Sequence, residues 1–198
     1  MRMVTANEAS KIPSKEESER TERALIRAEA PILSELRSAG YDIPSLWEHD
    51  GKKPPDRAID VLVEHLQRNH PFQIRWAITN IISGDYATKY FSLFVKLFAN
   101  DPDVTGYKAK SGVGGLIGQY CDDSNSQIAV DLAKDPRHGE SRVALLDALF
   151  RRRIPAALNA IGELVKDPSV RSIAQKYQKR ITEAKLKKRP LARAKQKK

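Results

Sequence analysis

Past residue 56 the apolar positions fall three and four residues apart, in short stripes that stop and restart at Pro71, Pro102, Pro136 and Pro168. Ile59, Leu62, Val63 and Leu66 precede Pro71, and Ile74, Ala77, Ile78, Ile81 and Ile82 follow it. Phe91, Phe94, Val95 and Phe98 lead to Pro102, with Ala109, Val113, Leu116 and Ile117 beyond. Pro136 divides Ile128, Ala129, Leu132 and Ala133 from Val143, Leu146, Leu149 and Phe150. Pro168 divides Ala157, Ile161, Leu164 and Val165 from Val170, Ile173, Ala174 and Tyr177. Such spacings place each set on one face of an α-helix, so eight amphipathic helices are expected. No window alternates with the period of two that a half-buried strand requires.

Upstream, a stripe of Leu25, Glu29, Ile32, Leu33 and Leu36 predicts a helix from Glu16 that ends with Gly40 in the C′ position. Pro31 inside it is expected to kink or split that helix. Residues 41–56 are dense in proline and turn formers and read as a loop whose Trp47 packs down on the core. Residues 1–15 are polar and patternless and read as a disordered arm.

Each break has a physical cause. Proline disfavours the helical conformation in the residue before it, yet suits the first position of a helix. Aspartate before proline can accept hydrogen bonds from the new helix and complements its positive end. Asp101, Asp135 and Asp167 stand in that position, and His70 replaces aspartate in the first repeat. Extra residues after Pro102 and Pro136 make Thr105 and Ser141 alternative caps. The prolines recur at intervals of 31, 34 and 32 residues. A two-helix unit of that length cannot bury its own apolar faces, whereas stacked units can. The expected fold is therefore all-α, an α-solenoid of about four helix pairs with an N-terminal helical cap. Its domain is expected over 16–182, followed by a tail at 183–198 that is helical and then disordered.

This pattern resembles HEAT repeats, whose helix pairs are joined by an Asp-Pro turn with a basic residue early in the second helix. "KDPRHGESRVALLDAL" (residues 134–149) and "SELRSAGYDIPSLW" (residues 34–47) are similar to small bacterial HEAT-repeat proteins of unassigned function. The resemblance covers roughly residues 30–182. It implies a right-handed solenoid and a non-catalytic scaffold that binds a protein partner through the surface of the second helices. The basic residue of the pattern matches Arg75, Lys108, Arg142 and Arg171. In the family such residues pair with turn aspartates; alternatively they line the concave wall and meet a partner's carboxylate or phosphate. Trp76 lies off its apolar stripe, so it is either a partner anchor or covered by the "IPSLW" loop.

Charge changes the picture in one place. The net charge of +10 is absent from residues 1–175, where 24 Lys+Arg face 24 Asp+Glu. Residues 176–198 hold eleven Lys+Arg against Glu183 alone. That tail, with Lys187, Lys188 and Arg189 at its centre, and the run Arg151, Arg152, Arg153 in the body form the basis of an alternative function. In it the chain associates with nucleic acid through non-specific phosphate contacts. The arginine run otherwise serves as helix C-terminal charge facing the macrodipole.

Catalytic chemistry is not indicated. HEAT-like folds also house alkylpurine DNA glycosylases, which the balanced body charge and the lack of a Trp–Asp constellation disfavour. "KSGVGGLIGQ" (residues 110–119) invites a nucleotide-loop reading, but it lies within a helical stripe, where small residues serve close helix packing; no cofactor is expected. The four histidines lack metal-ligand spacing, and His65 and His70 are expected to point apart, so no metal is expected. The single cysteine, Cys121, excludes an internal disulfide, and no apolar run is long enough to span a membrane. A cytoplasmic location is expected.

Overall fold

The computed structural model describes residues 14–49, 51–103 and 108–195, the stretch 184–195 as backbone only. Among them no strand occurs, and the chain is all-α. The helices are α1 (Lys15–Ser38), α2 (Asp56–Gln67), α3 (Phe72–Ile81), α4 (Phe91–Asn100), α5 (Ala109–Tyr120), α6 (Ser126–Lys134), α7 (Arg142–Arg151), α8 (Pro155–Leu164) and α9 (Arg171–Lys195). Short 3-10 turns over Asp85–Tyr90 and Pro136–Ser141 lead into α4 and α7. The eight helices expected from the stripes are α2 to α9. The last runs on through the boundary expected at residue 182.

Helix α1 opens with a capping box, in which Ser14 Oγ accepts from Glu17 N (3.2 Å) and Glu17 Oε2 accepts from Ser14 N (2.8 Å). It closes on Gly40, whose φ of +82° few side chains tolerate; Tyr41 N donates to Leu36 O and Gly40 N to Arg37 O. The split expected at Pro31 does not occur: α1 is one helix. Ile32 and Leu36 just beyond are fully buried. Burying two such side chains contributes about 3–6 kcal/mol, enough to offset a penalty of about 3 kcal/mol for an interior proline. In the following loop Tyr41, Ile43 and Leu46 enter the core, while Trp47, expected there, stays 44% exposed. Buried Glu29 of α1 anchors the loop by accepting from Ser45 Oγ (2.9 Å) and Leu46 N.

Three of the four turns share one device. Asp101, Asp135 and Asp167 each use Oδ1 to accept the backbone N–H two residues on, from Asp103, Arg137 and Ser169, each at 3.0 Å. Ser141 stands at the N-cap position of α7, as one alternative held, but its side chain makes no capping hydrogen bond: it is fully buried and donates to His138 O. Thr105 lies outside the described residues. The histidines of the first turn also differ from expectation. Helix α2 ends at Gln67 and Arg68 is extended, so the chain folds back and brings His65 Nδ1 to 3.0 Å from His70 Nε2.

Helices α3, α5 and α7 pack in succession, the α5–α7 contact being the most extensive, and α9 joins α7. Glycines make this possible. A Cβ on Gly118 would stand 2.5 Å from Ala148 Cβ and 2.9 Å from Leu145 O; one on Gly112 would stand 2.0 Å from Thr79 Oγ1. The core runs continuously from Ile32 and Leu36 through Ile78, Phe94, Phe98, Ile117 and Leu149 to Ala174.

Candidate functional site

The four basic residues expected early in the second helices do not form one surface. Arg142 is fully buried: Nε donates to Gly139 O (2.8 Å), Nη1 to Ala133 O (3.2 Å), and Nη2 stands 2.8 Å from Asp167 Oδ2. That last contact is an ion pair off the hydrogen-bonding angle. As a partner-binding residue Arg142 is therefore corrected; no partner can reach it. Arg75 Nη1 likewise meets Asp101 Oδ2 (3.3 Å), with its side chain 22% exposed. Each aspartate thus caps its own turn with Oδ1 and clamps the preceding unit's arginine with Oδ2. Arg171 opens α9 and is exposed.

Lys108 is only loosely held, 3.6 Å from Asp103 Oδ2 and above the Phe72 ring. The interior position falls instead to Lys110, 2% exposed, whose Nζ donates to Asp101 O (2.6 Å). Burial lowers its pKa against the opposing pull of Asp101, Asp103 and Asp135. The signal for Lys110 was its place inside α5, one residue after the helix begins at Ala109, whereas Lys108 stands just outside it. Asp135 clamps Arg137 rather than a lysine, and that ion pair holds its carboxyl down at about 2.

On another face, α3, α5 and α7 enclose a groove of about 530 Å³. Its lining includes small residues: Gly115 of α5 lies opposite Ala144 of α7, with Gly112, turned towards Thr79 of α3, and Ala148, packed against Gly118, beside them. Thr79, Asn80, Ser83, Ser111 and Gln119 supply hydroxyls and amides. Gly115 faces open space, with Ala144 Cβ at 4.0 Å from where its own Cβ would be. Sequence reasoning missed this floor. Its trace was Gly115 of α5 and Ala144 of α7, small residues on helices that pack as neighbours.

Trp76 stands at the α3 end of the groove, 39% exposed. Trp47 of the "IPSLW" loop lies against it, ring centroids 6.0 Å apart at 30°, as one alternative expected, and both indoles remain open to solvent. Phe72, one turn before Trp76, is 44% exposed. The three make an exposed aromatic patch.

Arg151 and Arg152 close the α7 end. Arg152 Nη1 donates to Gly118 O (3.2 Å) and to Gln119 O, so it caps the C-terminus of α5, a neighbouring helix rather than its own. Arg151 Nε meets Asp147 Oδ2 (2.9 Å) and is 67% exposed. Asp147 also accepts from Tyr177 Oη (2.9 Å) and lies 3.5 Å from Lys176 Nζ. Arg153 is exposed in the turn after α7, at a φ of +57°. Lys187, Lys188 and Arg189 lie on the backbone of α9, and their side chains fall outside the described residues.

Among its lining residues the groove has two guanidinium groups and no carboxylate. It can present donors to an anion at one end and an apolar, π-rich surface at the other. Cys121 is buried beside it, and burial pushes its thiol up. Among the described residues no group of three or more His, Cys, Asp or Glu could hold a metal, and no helix is long and apolar enough to cross a membrane. Comparison of the chain with protein-family models, curated proteins and solved structures returns no match.

Proposed function

We propose that α2/α3, α4/α5, α6/α7 and α8/α9 act as four HEAT-like pairs stacked as a right-handed α-solenoid capped by α1. In this reading the chain is a non-catalytic scaffold that holds a protein partner along the groove of α3, α5 and α7. The observation that supports it is the groove itself: a smooth floor of glycine and alanine, an exposed Trp47–Trp76 pair at one end, exposed Arg151 at the other. Aromatic and arginine side chains are the usual anchors of protein interfaces. The aspartate clamps on Arg75 and Arg142 belong to the scaffold, and the buried free thiol of Cys121 suits a cytoplasmic location.

A photo-crosslinking residue at Gln119 tests the reading, with one at exposed Arg171 as control. The expected result is a protein adduct from position 119 that a Gly115→Phe groove-filling change abolishes. Equal adducts from both positions would sink it. The nucleic-acid alternative is favoured by Arg151 and Lys176 meeting at Asp147, near the start of the basic α9. It predicts steeply salt-dependent binding of duplex DNA that is lost on deleting residues 183–198; no binding at low salt would end it.

A further inference from the structure

Resting on that scaffold reading, we infer that the groove takes an extended acidic peptide segment, its carboxylates on Arg151 and Arg152 and an apolar residue on the Trp47–Trp76 pair. Three observations converge on this occupant. First, the charge is of one sign and at one end: Arg151 and Arg152 are the charged residues among the groove's lining, and both sit on the α7 side. Arg151 shares Asp147 with Lys176 and Tyr177, so that carboxylate is over-supplied with donors and leaves the rim net positive. Second, the opposite end is aromatic and exposed, with the two indoles at the groove and Phe72, under Lys108, one turn before Trp76. Third, the size fits. Successive packed helices lie about 8–10 Å apart, so α3 to α7 spans roughly 16–20 Å. An extended chain advances about 3.3 Å per residue, which sets five or six residues between anchor and carboxylates.

The floor suits a backbone. Gly115, with Ala144 opposite, leaves open space for it, and Asn80 and Gln119 offer amide donors and acceptors to its peptide groups. Other occupants fit less well. A phosphate chain carries a charge at every nucleotide, and it would cross the α3 and α5 portions with no cation lining them. The chain's own C-terminal stretch has the sign of the arginines and is repelled by them.

The protein carries its own reporter, because Trp47 and Trp76 are its two tryptophans and both stand at the site. A random dodecapeptide phage library is selected on the full chain and counter-selected on Gly115→Phe, with helicity and thermal midpoint confirming that the variant folds. Gln119→Glu, an isosteric exposed change that adds a carboxylate to the rim, serves as a second variant. The expected result is enrichment of peptides with clustered Asp and Glu about five residues from a proline, aliphatic or aromatic residue. Synthetic versions without tryptophan should change the tryptophan emission saturably. Binding should weaken at least tenfold in Arg151→Glu and severalfold in Gln119→Glu. Groove-dependent peptides that are neutral or basic would overturn the acidic-segment inference and leave the scaffold reading standing. No groove-dependent peptide, together with no adduct from position 119, would remove both. Oligothymidylate shifting the emission where acidic peptides do not would replace the peptide with a single-stranded nucleic acid.

Discussion

Arginine appears in two regions of this molecule with opposite fates. Along the turn edge, Arg75 and Arg142 are drawn inward and clamped by the aspartate of the next turn, Arg142 with no exposed surface at all. At the groove end, Arg151 is two-thirds exposed, and Arg152 lends one nitrogen to the carbonyls ending α5. The difference lies in what each guanidinium finds at its own depth. A buried guanidinium needs a carboxylate and carbonyls on every side, because an unpaired buried charge costs several kcal/mol. An exposed one is hydrated and gains little from its ion pair. The turn edge therefore ties packed helices together, and the groove end leaves a guanidinium open to solvent.

The largest test of this contrast is Arg142→Leu beside Arg151→Leu. Removing Arg142 strands Asp167 and the carbonyls of Gly139 and Ala133, and the expected loss is about 3 kcal/mol, near the low end for breaking a buried pair because Asp167 keeps some solvent contact. Arg151→Leu should change stability by less than about 0.5 kcal/mol. Urea unfolding of both variants decides it; similar losses would erase the distinction between clamp and rim.

Next in size is Gly118→Ala, which probes the seam beneath the groove. The new methyl would stand 2.9 Å from a backbone oxygen of α7 that cannot swing away, so α5 and α7 must separate. Overpacking of this kind costs about 1–3 kcal/mol. Thermal denaturation that leaves the midpoint unchanged would show that the seam has slack.

A pH series sharpens the contrast further. The turn edge carries His70 and His138, and in both burial lowers the pKa, with His65 second for His70 and Lys110 second for His138. Their folded forms bind protons less readily than the unfolded chain, so the stability they contribute is present above about pH 6.5, the ordinary histidine value, and is lost as pH falls below it. The groove's lining residues include no histidine or carboxylate. The midpoint should fall between pH 7 and 5, and His138→Asn should flatten that fall. Occupancy of the groove by a peptide with ionised carboxylates should stay level over pH 5.5–8. A flat stability profile in the wild type would overturn the assignment.

How far the sequence discloses all this depends on range. The helices were legible because apolar spacing and the Asp-Pro breaks act within a few residues. Gly40 was legible for the same reason. The split offered for Pro31 does not occur, because local propensity opposes a helix there while burial of Ile32 and Leu36, a tertiary effect, overrides it. His65 and His70 were misplaced because their separation depends on where α2 stops. Lys110 was missed for Lys108 because both are basic residues near the start of α5, and which of them enters the interior depends on where the helix begins after the turn. Trp76 could be singled out as an off-stripe aromatic. The groove floor could not, since Gly115 and Ala144 become neighbours only when α5 and α7 pack.

The smallest expected effect separates floor from seam within one helix. Gly115 and Gly118 lie three residues apart in α5, and both cost the helix backbone freedom relative to alanine. A methyl at 118 collides with α7. A methyl at 115 meets ordinary contact with Ala144 and otherwise open space. Gly115→Ala should therefore stabilise the protein by about 0.5–1 kcal/mol, the helix-propensity difference with no packing cost. A glycine that weakens its helix at a place where alanine fits asks for another reason to be there, and room for a ligand's backbone is one. If Gly115→Ala gains stability and loses affinity for a groove ligand, the glycine serves the groove. If it gains stability at unchanged affinity, the ligand does not approach the floor at α5, and binding rests on the aromatic and arginine ends alone.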